Sequence, residues 1–335
     1  MKVLYIGGNG NISWWCVQKS LELGYEVYEL NRAQTRKTRR DVQKRVHQII
    51  GDIRNVSDME SILADEQFDV ICDFITYNKK QAENMLKLFT GKCKQYIFIS
   101  SEAVYKRKYR GQVFTEESER YNPDDTDTYI SGKILAENVF MDAYEKSQFP
   151  VTIVRPGYTY DTIIPTPLGQ NCFTASDKLL KGYPMLMLGN GENIWTPTHS
   201  QDFSEAFKHL LGNQMCIGQS YQIMSDIPVQ WKQMTDELME ALKIKEKKYI
   251  FIPEEDALRI NCFHSTEIQK QRMSDYLFDI RKIREVCPEW KAEILFKDGI
   301  TRTVEWLMED SAHRRIVSEV DKNLDLLYKK YMKAG

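Results

Sequence analysis

Tyr129 and Lys133 stand four residues apart in a stretch whose apolar spacing predicts a helix, so both side chains project from one face a turn apart. A free phenol ionises near about pH 10, so it serves as a base at neutral pH only beside a positive charge, which Lys133 can supply. Of 18 tyrosines, Tyr129 alone is followed by lysine at this spacing. About one such pair is expected by chance, so the weight comes from order along the chain. Ser100-Ser101 close the predicted strand 96–100, one loop upstream, and can bring a hydroxyl beside the tyrosine. Together these residues can move a proton on and off a substrate oxygen.

A second constellation lies at the start of the chain. Gly7-Gly8-Asn9-Gly10-Asn11-Ile12-Ser13 follows a predicted strand and opens a predicted helix. Glycines there permit a tight turn and let backbone N–H groups approach a pyrophosphate at a helix N-terminus. Ser13 takes the third small position, where a hydroxymethyl group still permits helix–strand packing. The next strand ends Tyr28-Glu29-Leu30-Asn31-Arg32. A carboxylate there would accept from a ribose 2′-hydroxyl; Asn31 removes that charge and Arg32 can pair with a 2′-phosphate. Arg36 and Lys37 add to the same field, so NADP is favoured over NAD. Asp52 and Ile53 follow the third strand, where a carboxylate can meet an adenine amino group and an aliphatic side chain can cover the ring. Phe74 and Ile75 follow the fourth, at the carboxyl edge where dinucleotides run in such sheets.

The elements that position these residues read as an α/β fold. Strands are predicted at 3–6, 26–30, 46–50, 70–74, 96–100 and 151–154, several continuously apolar and so covered on both faces. Helices are predicted at 14–23, 59–64, 82–89 and 129–144. Repeated strand–helix–strand units call for a doubly wound parallel sheet with right-handed crossovers. After Pro156, Pro165, Pro167, Gly182, Pro184, Gly189 and Gly191 punctuate short segments, which predicts a smaller C-terminal α+β lobe. A helix is expected from Asp202, another at 229–242, a strand at 249–252, and a charged helical tail from Asp310 as a surface arm. Residues 1–165 thus form the dinucleotide domain, with 195–230 returning to it, and 166–335 the substrate lobe and tail.

Composition narrows the classes further. The 335 residues are 42% hydrophobic and 28% charged, which excludes a wholly disordered chain. A formal charge of -2 supplies no net field for nucleic acid or an anionic membrane. No stretch approaches the roughly 20 apolar residues of a membrane helix. Seven scattered cysteines without a CxxC pair indicate neither a disulfide framework nor a zinc site, and no metal is expected. A cytoplasmic protein with free thiols is the expectation.

Taken in order, Gly7–Ser13, Asp52, Ser100-Ser101-Glu102-Ala103-Val104-Tyr105, Tyr129-Ile130-Ser131-Gly132-Lys133 and Arg155-Pro156-Gly157-Tyr158 resemble the extended short-chain dehydrogenases/reductases. The similarity is greatest to their NAD-dependent epimerase/dehydratase-like branch. It continues through Trp195-Thr196-Pro197-Thr198-His199-Ser200-Gln201-Asp202-Phe203 and Trp231, so it covers nearly the whole chain. Ser13 and Asn31-Arg32 are similar to an atypical group that includes chloroplast stem-loop-binding proteins. The resemblance implies a Rossmann sheet, Tyr129 as acid/base, Lys133 on the nicotinamide ribose, Ser101 on the substrate oxygen, and Gly157 and Tyr158 beside the nicotinamide. It also implies a homodimer through the helices 82–89 and 129–144.

Departures from the family pattern limit the substrate. Sugar-nucleotide 4,6-dehydratases carry an acidic pair where this chain has Glu102 and Ala103, so one carboxylate is missing and that activity is disfavoured. Epimerases usually place an arginine where Trp195 stands; tryptophan can stack on a sugar or base but forms no charge-assisted bond to phosphate. Arg272 can compensate, and Glu102, Tyr158, Trp195 and Arg272 are the expected substrate contacts. His199 is expected to be structural. The leading expectation is an NAD(P)-dependent oxidoreductase or epimerase acting on a sugar or sugar nucleotide. The alternatives are a non-catalytic dinucleotide- or RNA-binding scaffold and a carbonyl reductase on a non-sugar substrate.

Overall fold

The computed structural model describes residues 1–32, 39–107, 111–168, 172–257 and 272–332. Arg36 and Lys37 lie outside the described residues. The chain opens with β1 (Lys2–Ile6), whose residues are apolar on both faces: Val3 and Tyr5 enter one core cluster, Leu4 and Ile6 the other. That two-sided burial is what a strand inside a doubly covered parallel sheet requires.

From there the strands and helices alternate: α1 (Ser13–Glu22), β2 (Glu26–Asn31), β3 (His47–Ile50), α2 (Val56–Ile62), β4 (Phe68–Asp73), α3 (Lys79–Phe89), β5 (Cys93–Ile99) and α4 (Thr128–Ser147). Strands Val151–Pro156 and Ser220–Ile223 complete the sheet, which runs Ser220–Ile223, Val151–Pro156, β5, β4, β1, β2, β3, all parallel. The order reverses between β1 and β4, which opens a crevice at their carboxyl ends. On one face α1 packs against the helix Ser200–Phe207, and on the other α3 packs against α4.

A separate, strongly aromatic core joins the second half to residues of the first. Tyr105, Phe114, Tyr160, Trp195, Trp231 and Tyr276 are all buried within one cluster. Short strand pairings, such as Met185–Leu188 beside Tyr249–Ile252, and the packed helices Trp231–Ala241 and Phe296–Glu309 brace it. The helix expected from Asp202 begins two residues earlier, at Ser200, because His199 Nδ1 accepts the Gln201 N–H and caps the first turn. The tail also departs from expectation. Its helix, Ser318–Tyr331, is no free surface arm: Val320, Leu324, Leu327 and Tyr328 form a stripe at helical spacing that is buried against Leu186, Leu188 and Ile252. Lys178 anchors it through Asp321 and Asp325, at 2.9 and 2.5 Å.

Candidate active site

Two connected cavities lie at the carboxyl edge of the sheet. The larger, about 1170 Å³, runs from the glycine turn past the end of β5 and the start of α4 into the C-terminal half. The smaller, about 290 Å³, lies between the ends of β2 and β3. Gly7, Ile75, Tyr77 and Arg39 line both and mark the junction. Asn9, Asn31, Arg32, Asp52 and Ile53 line the smaller arm. Gly10, Asn11, Ile12, Phe74, Ser100 and Gly157 line the larger one. Ser101, Glu102, Tyr129, Lys133, Tyr158, Trp195 and Arg272 form its remaining predicted wall. Residues spread from position 7 to 272 are therefore brought to one trough.

The turn after β1 is braced by a side chain that small size alone does not account for. Ser13 Oγ donates to Gly7 O at 2.7 Å and accepts the Gly10 N–H at 2.8 Å. Gly7 adopts φ +83°, and a Cβ there would come within 2.5 Å of Ile75. Only glycine meets both demands, and the backbone is left bare toward the cavity. Asn11 turns its amide to the protein: Oδ1 accepts the Thr162 N–H at 3.0 Å and Nδ2 donates to Thr159 O at 3.3 Å. Its side chain ties the turn to the loop following the strand Val151–Pro156. The trough suits a dinucleotide, with its bare glycine turn, its adenosine-sized side arm and Arg32 and Arg39 at the rim.

Asp52 departs from its expected part. Its carboxylate is taken by Arg54, whose Nε donates at 2.8 Å, and this ion pair holds it at about 2. Ile53 is buried in the core, leaving only an edge toward the arm.

The reactive wall is set by α4. Asp127 Oδ1 accepts the Tyr129 N–H at 2.8 Å, capping the helix so that Tyr129 stands in its first turn. Gly132 lets this helix close on the loop after β4, since a Cβ there would meet Tyr77 O at 2.2 Å. One turn further, Lys133 is buried, and its Nζ donates to Thr76 O at 2.7 Å and Ile99 O at 2.8 Å. Burial lowers its pKa to about 8. Tyr129 keeps 39% of its surface open at the cavity mouth. Loss of water around its hydroxyl raises the phenol above its usual range, while a hydrogen bond with Ser101 works in the opposite direction. Glu102, buried beside them, is pushed up to about 7 by desolvation.

Asp73 is a site element that sequence reasoning passed over. Its Oδ1 accepts the N–H groups of Ile75 and Thr76, at 2.9 and 3.0 Å, and its Oδ2 accepts from Tyr96 OH at 2.8 Å. The carboxylate thereby shapes the loop whose Thr76 carbonyl receives Lys133. A lone aspartate ending an apolar strand run was the available signal.

Two expected substrate contacts, Arg272 and Trp195, are largely engaged within the protein, and His199 is structural as expected. Arg272 Nη1 donates to the carbonyls of Thr166 and Pro167, at 2.9 and 3.0 Å. Trp195 is 5% exposed and its indole donates to Ser274 O at 3.0 Å, so it meets the cavity only at an edge. Arg155 points away from the cavity and forms a bidentate pair with Glu137, at 2.9 and 2.8 Å. His199 is buried, capping a helix, and burial lowers it to about 4.

The model of the NAD dependent epimerase/dehydratase family matches residues 3–223, which take in the whole sheet and the reactive wall. The chain belongs to this family. Within its wider company, the chloroplast stem-loop binding protein of 41 kDa b from Arabidopsis thaliana is 23% identical over 235 residues, 67% of this chain. The match spans only 59% of that protein's length. Solved folds agree more fully. A dTDP-glucose 4,6-dehydratase from Bacillus anthracis, in complex with NAD, superposes with a TM-score of 0.72 at 18% identity, covering 93% of this chain and 97% of that one. A UDP-glucuronic acid 4-epimerase from Bacillus cereus, in complex with UDP-glucuronic acid and NAD, has a TM-score of 0.72 at 17% identity, covering 92% and 99%. At such identities the likeness establishes the fold. The family is described as NAD dependent, and no helix among the described residues is long and apolar enough to cross a membrane.

Proposed function

We propose that this protein is an NADP-dependent oxidoreductase or epimerase acting at a hydroxyl-bearing carbon of a sugar or sugar nucleotide. One observation carries the reading: Ser101, Tyr129, Lys133 and the glycine turn converge on a single cavity. Bound in that trough, the oxidised nicotinamide supplies the hydride acceptor. Tyr129 takes the substrate hydroxyl proton at its phenolic oxygen, and the Lys133 ammonium favours the resulting phenolate. Ser101 orients the reacting oxygen. In an epimerase, Tyr129 returns the proton after the keto form has turned in the cavity. Arg32 and Arg39 at the rim of the side arm support NADP over NAD. Ala103 supplies no second carboxylate beside Glu102, which argues against elimination of water. A homodimer through α3 and α4 belongs to the same proposal, and sedimentation equilibrium tests it.

Incubation of a panel of sugar nucleotides and free sugars with NADP⁺, and separately with deuterated NADPH, tests the reaction; net formation of NADPH in the first assigns oxidation. Deuterated product with matching NADPH oxidation assigns net reduction, whereas an unlabelled epimer without net oxidation assigns epimerisation. Tyr129→Phe should slow either by about 10²–10⁴-fold. No conversion of any substrate by protein that binds the dinucleotide counts against redox chemistry.

The name of the chloroplast relative motivates a second reading, RNA binding without catalysis. Arg40 is poorly placed for it, because its guanidinium is committed to Asp161 at 2.7 and 2.9 Å and lies over the rings of Trp14, Trp15 and Trp306. Salt-dependent retention of a stem-loop RNA that is lost in Arg39→Ala would favour it.

A further inference from the structure

Glu29 is an anomalous carboxyl group. It has no exposed surface, and neither carboxylate oxygen has a hydrogen-bond partner among the described residues. It lies directly beneath the glycine turn: a Cβ on Gly8 would stand 2.6–2.8 Å from its carboxyl carbon and oxygen. Strand alternation puts it on the same face of β2 as Asn31, at the end that borders the adenosine arm. A buried, unpaired carboxylate in that place is costly, and nothing in the packing of the sheet requires one.

The surroundings leave its charge uncompensated. Its register neighbours are Tyr5 on β1 and Gln48 on β3. The Tyr5 phenol is committed to Cys16 O and Ser20 and is raised by burial, and the Cys16 thiol of α1 is raised likewise. Gln48 carries no charge. Asp52 and Arg54 across the arm neutralise each other. On its own strand only Asn31 favours the ionised form, and desolvation outweighs it, raising Glu29 to about 7. Its neutral form is therefore within reach near neutral pH.

We propose that Glu29 takes up a proton when the phosphates of a dinucleotide settle over the Gly7–Gly10 turn, so that cofactor binding and protonation of this residue are coupled. The inference rests on the dinucleotide reading above. Its physical basis is like-charge repulsion across a thin layer of backbone: a bound anion disfavours the carboxylate, and a carboxylate disfavours the anion. Linkage makes the two effects equal. Binding should therefore be tighter at low pH. The 2′-phosphate of NADP titrates in the opposite sense, since arginine prefers its dianion, so the two contributions differ in sign.

Calorimetric titration of the full chain with NADP⁺ and with NAD⁺, at pH 6, 7 and 8 in two buffers of different ionisation enthalpy, counts the protons. Uptake of up to about half a proton is expected at pH 7, with Kd weakening about fivefold from pH 6 to 8 if binding raises Glu29 by about one unit. Glu29→Gln should bind both dinucleotides and take up no proton with either; its NAD⁺ binding should lose the pH dependence, while NADP⁺ binding keeps only the opposite one of the 2′-phosphate. Uptake with NAD⁺, with or without net uptake for NADP⁺, supports the coupling through the shared pyrophosphate; uptake with NADP⁺ alone overturns it. Tight binding by wild type without proton uptake, or uptake that persists in Glu29→Gln, overturns the coupling and leaves the dinucleotide reading standing. If the folded wild type binds neither dinucleotide at any pH, both fall together. The wild-type proton count stands even if the variant folds poorly.

Discussion

Ser101 donates a 2.9 Å hydrogen bond to the carboxylate of Glu102, its immediate neighbour in the chain. The contact arises because Ser101 caps a short 3-10 turn, with its Oγ also accepting the Ala103 N–H at 3.2 Å. A hydroxyl that faces Tyr129 is thus backed by a carboxyl group raised to about 7 by burial.

That raised pKa has a stability signature. The folded value lies above the roughly 4.3 of an unfolded glutamate, so the fold prefers the neutral acid. Its contribution is complete below about pH 4 and is lost as pH rises through about 7, a change on the order of 3 kcal/mol. Thermal unfolding followed from pH 4 to 8 should show a steeper decline in wild type than in Glu102→Gln. Parallel curves would mean that Glu102 is better solvated than its burial implies.

Replacement of Asp73 should act on the site from a distance. Asp73→Asn loses an acceptor for the Tyr96 hydroxyl or for the loop N–H groups, at a cost of about 1–3 kcal/mol. Because Thr76 O holds Lys133, dinucleotide-induced thermal stabilisation should shrink by more than the loss in stability alone accounts for. Unchanged stabilisation by NADP(H) would show that the loop does not position the lysine.

Gly132→Ala tests how closely α4 approaches the loop. The new methyl group would stand 2.2 Å from Tyr77 O, a backbone atom that a rotamer change cannot relieve. A loss of about 1–3 kcal/mol in denaturant unfolding is expected, together with impaired turnover, since Tyr129 and Lys133 ride on the displaced helix. An unperturbed variant would refute the tight approach.

Arg155 and Glu137 form a buried pair that also engages Arg120 and Tyr105. Arg155→Met leaves the Glu137 carboxylate at zero exposure with half its compensation gone, which should cost about 3–5 kcal/mol. Adding Glu137→Leu should recover much of that loss. A double variant no more stable than the single one would count against this account.

Cofactor choice can be tested at the rim of the adenosine arm. Arg32→Asp places a carboxylate where a 2′-phosphate would lie, so NADP(H) affinity should fall at least about tenfold, about 1.4 kcal/mol, while NAD(H) binding is retained or improved. Thermal shifts with each dinucleotide read this directly. Equal losses for both would remove Arg32 from selection.

How much of this was legible beforehand follows from the range of the forces involved. The strand Val3–Ile6, the glycine turn and the helical Tyr129–Lys133 spacing are local patterns, set by backbone geometry and apolar period, so the sequence alone determined the doubly wound sheet and many of the residues that line its trough. Partners at long separation were decided only by folding. Lys133 finds its carbonyls 57 and 34 residues away, and Asn11 reaches across 151 residues to Thr162. Arg272 reads as a substrate clamp from its charge, yet the loop it meets at Thr166 and Pro167 takes that guanidinium. Glu29 reads as one more polar residue on a strand until tertiary packing removes its water. Desolvation belongs to the assembled structure, and it sets the proton affinities of Glu29, Glu102 and Lys133.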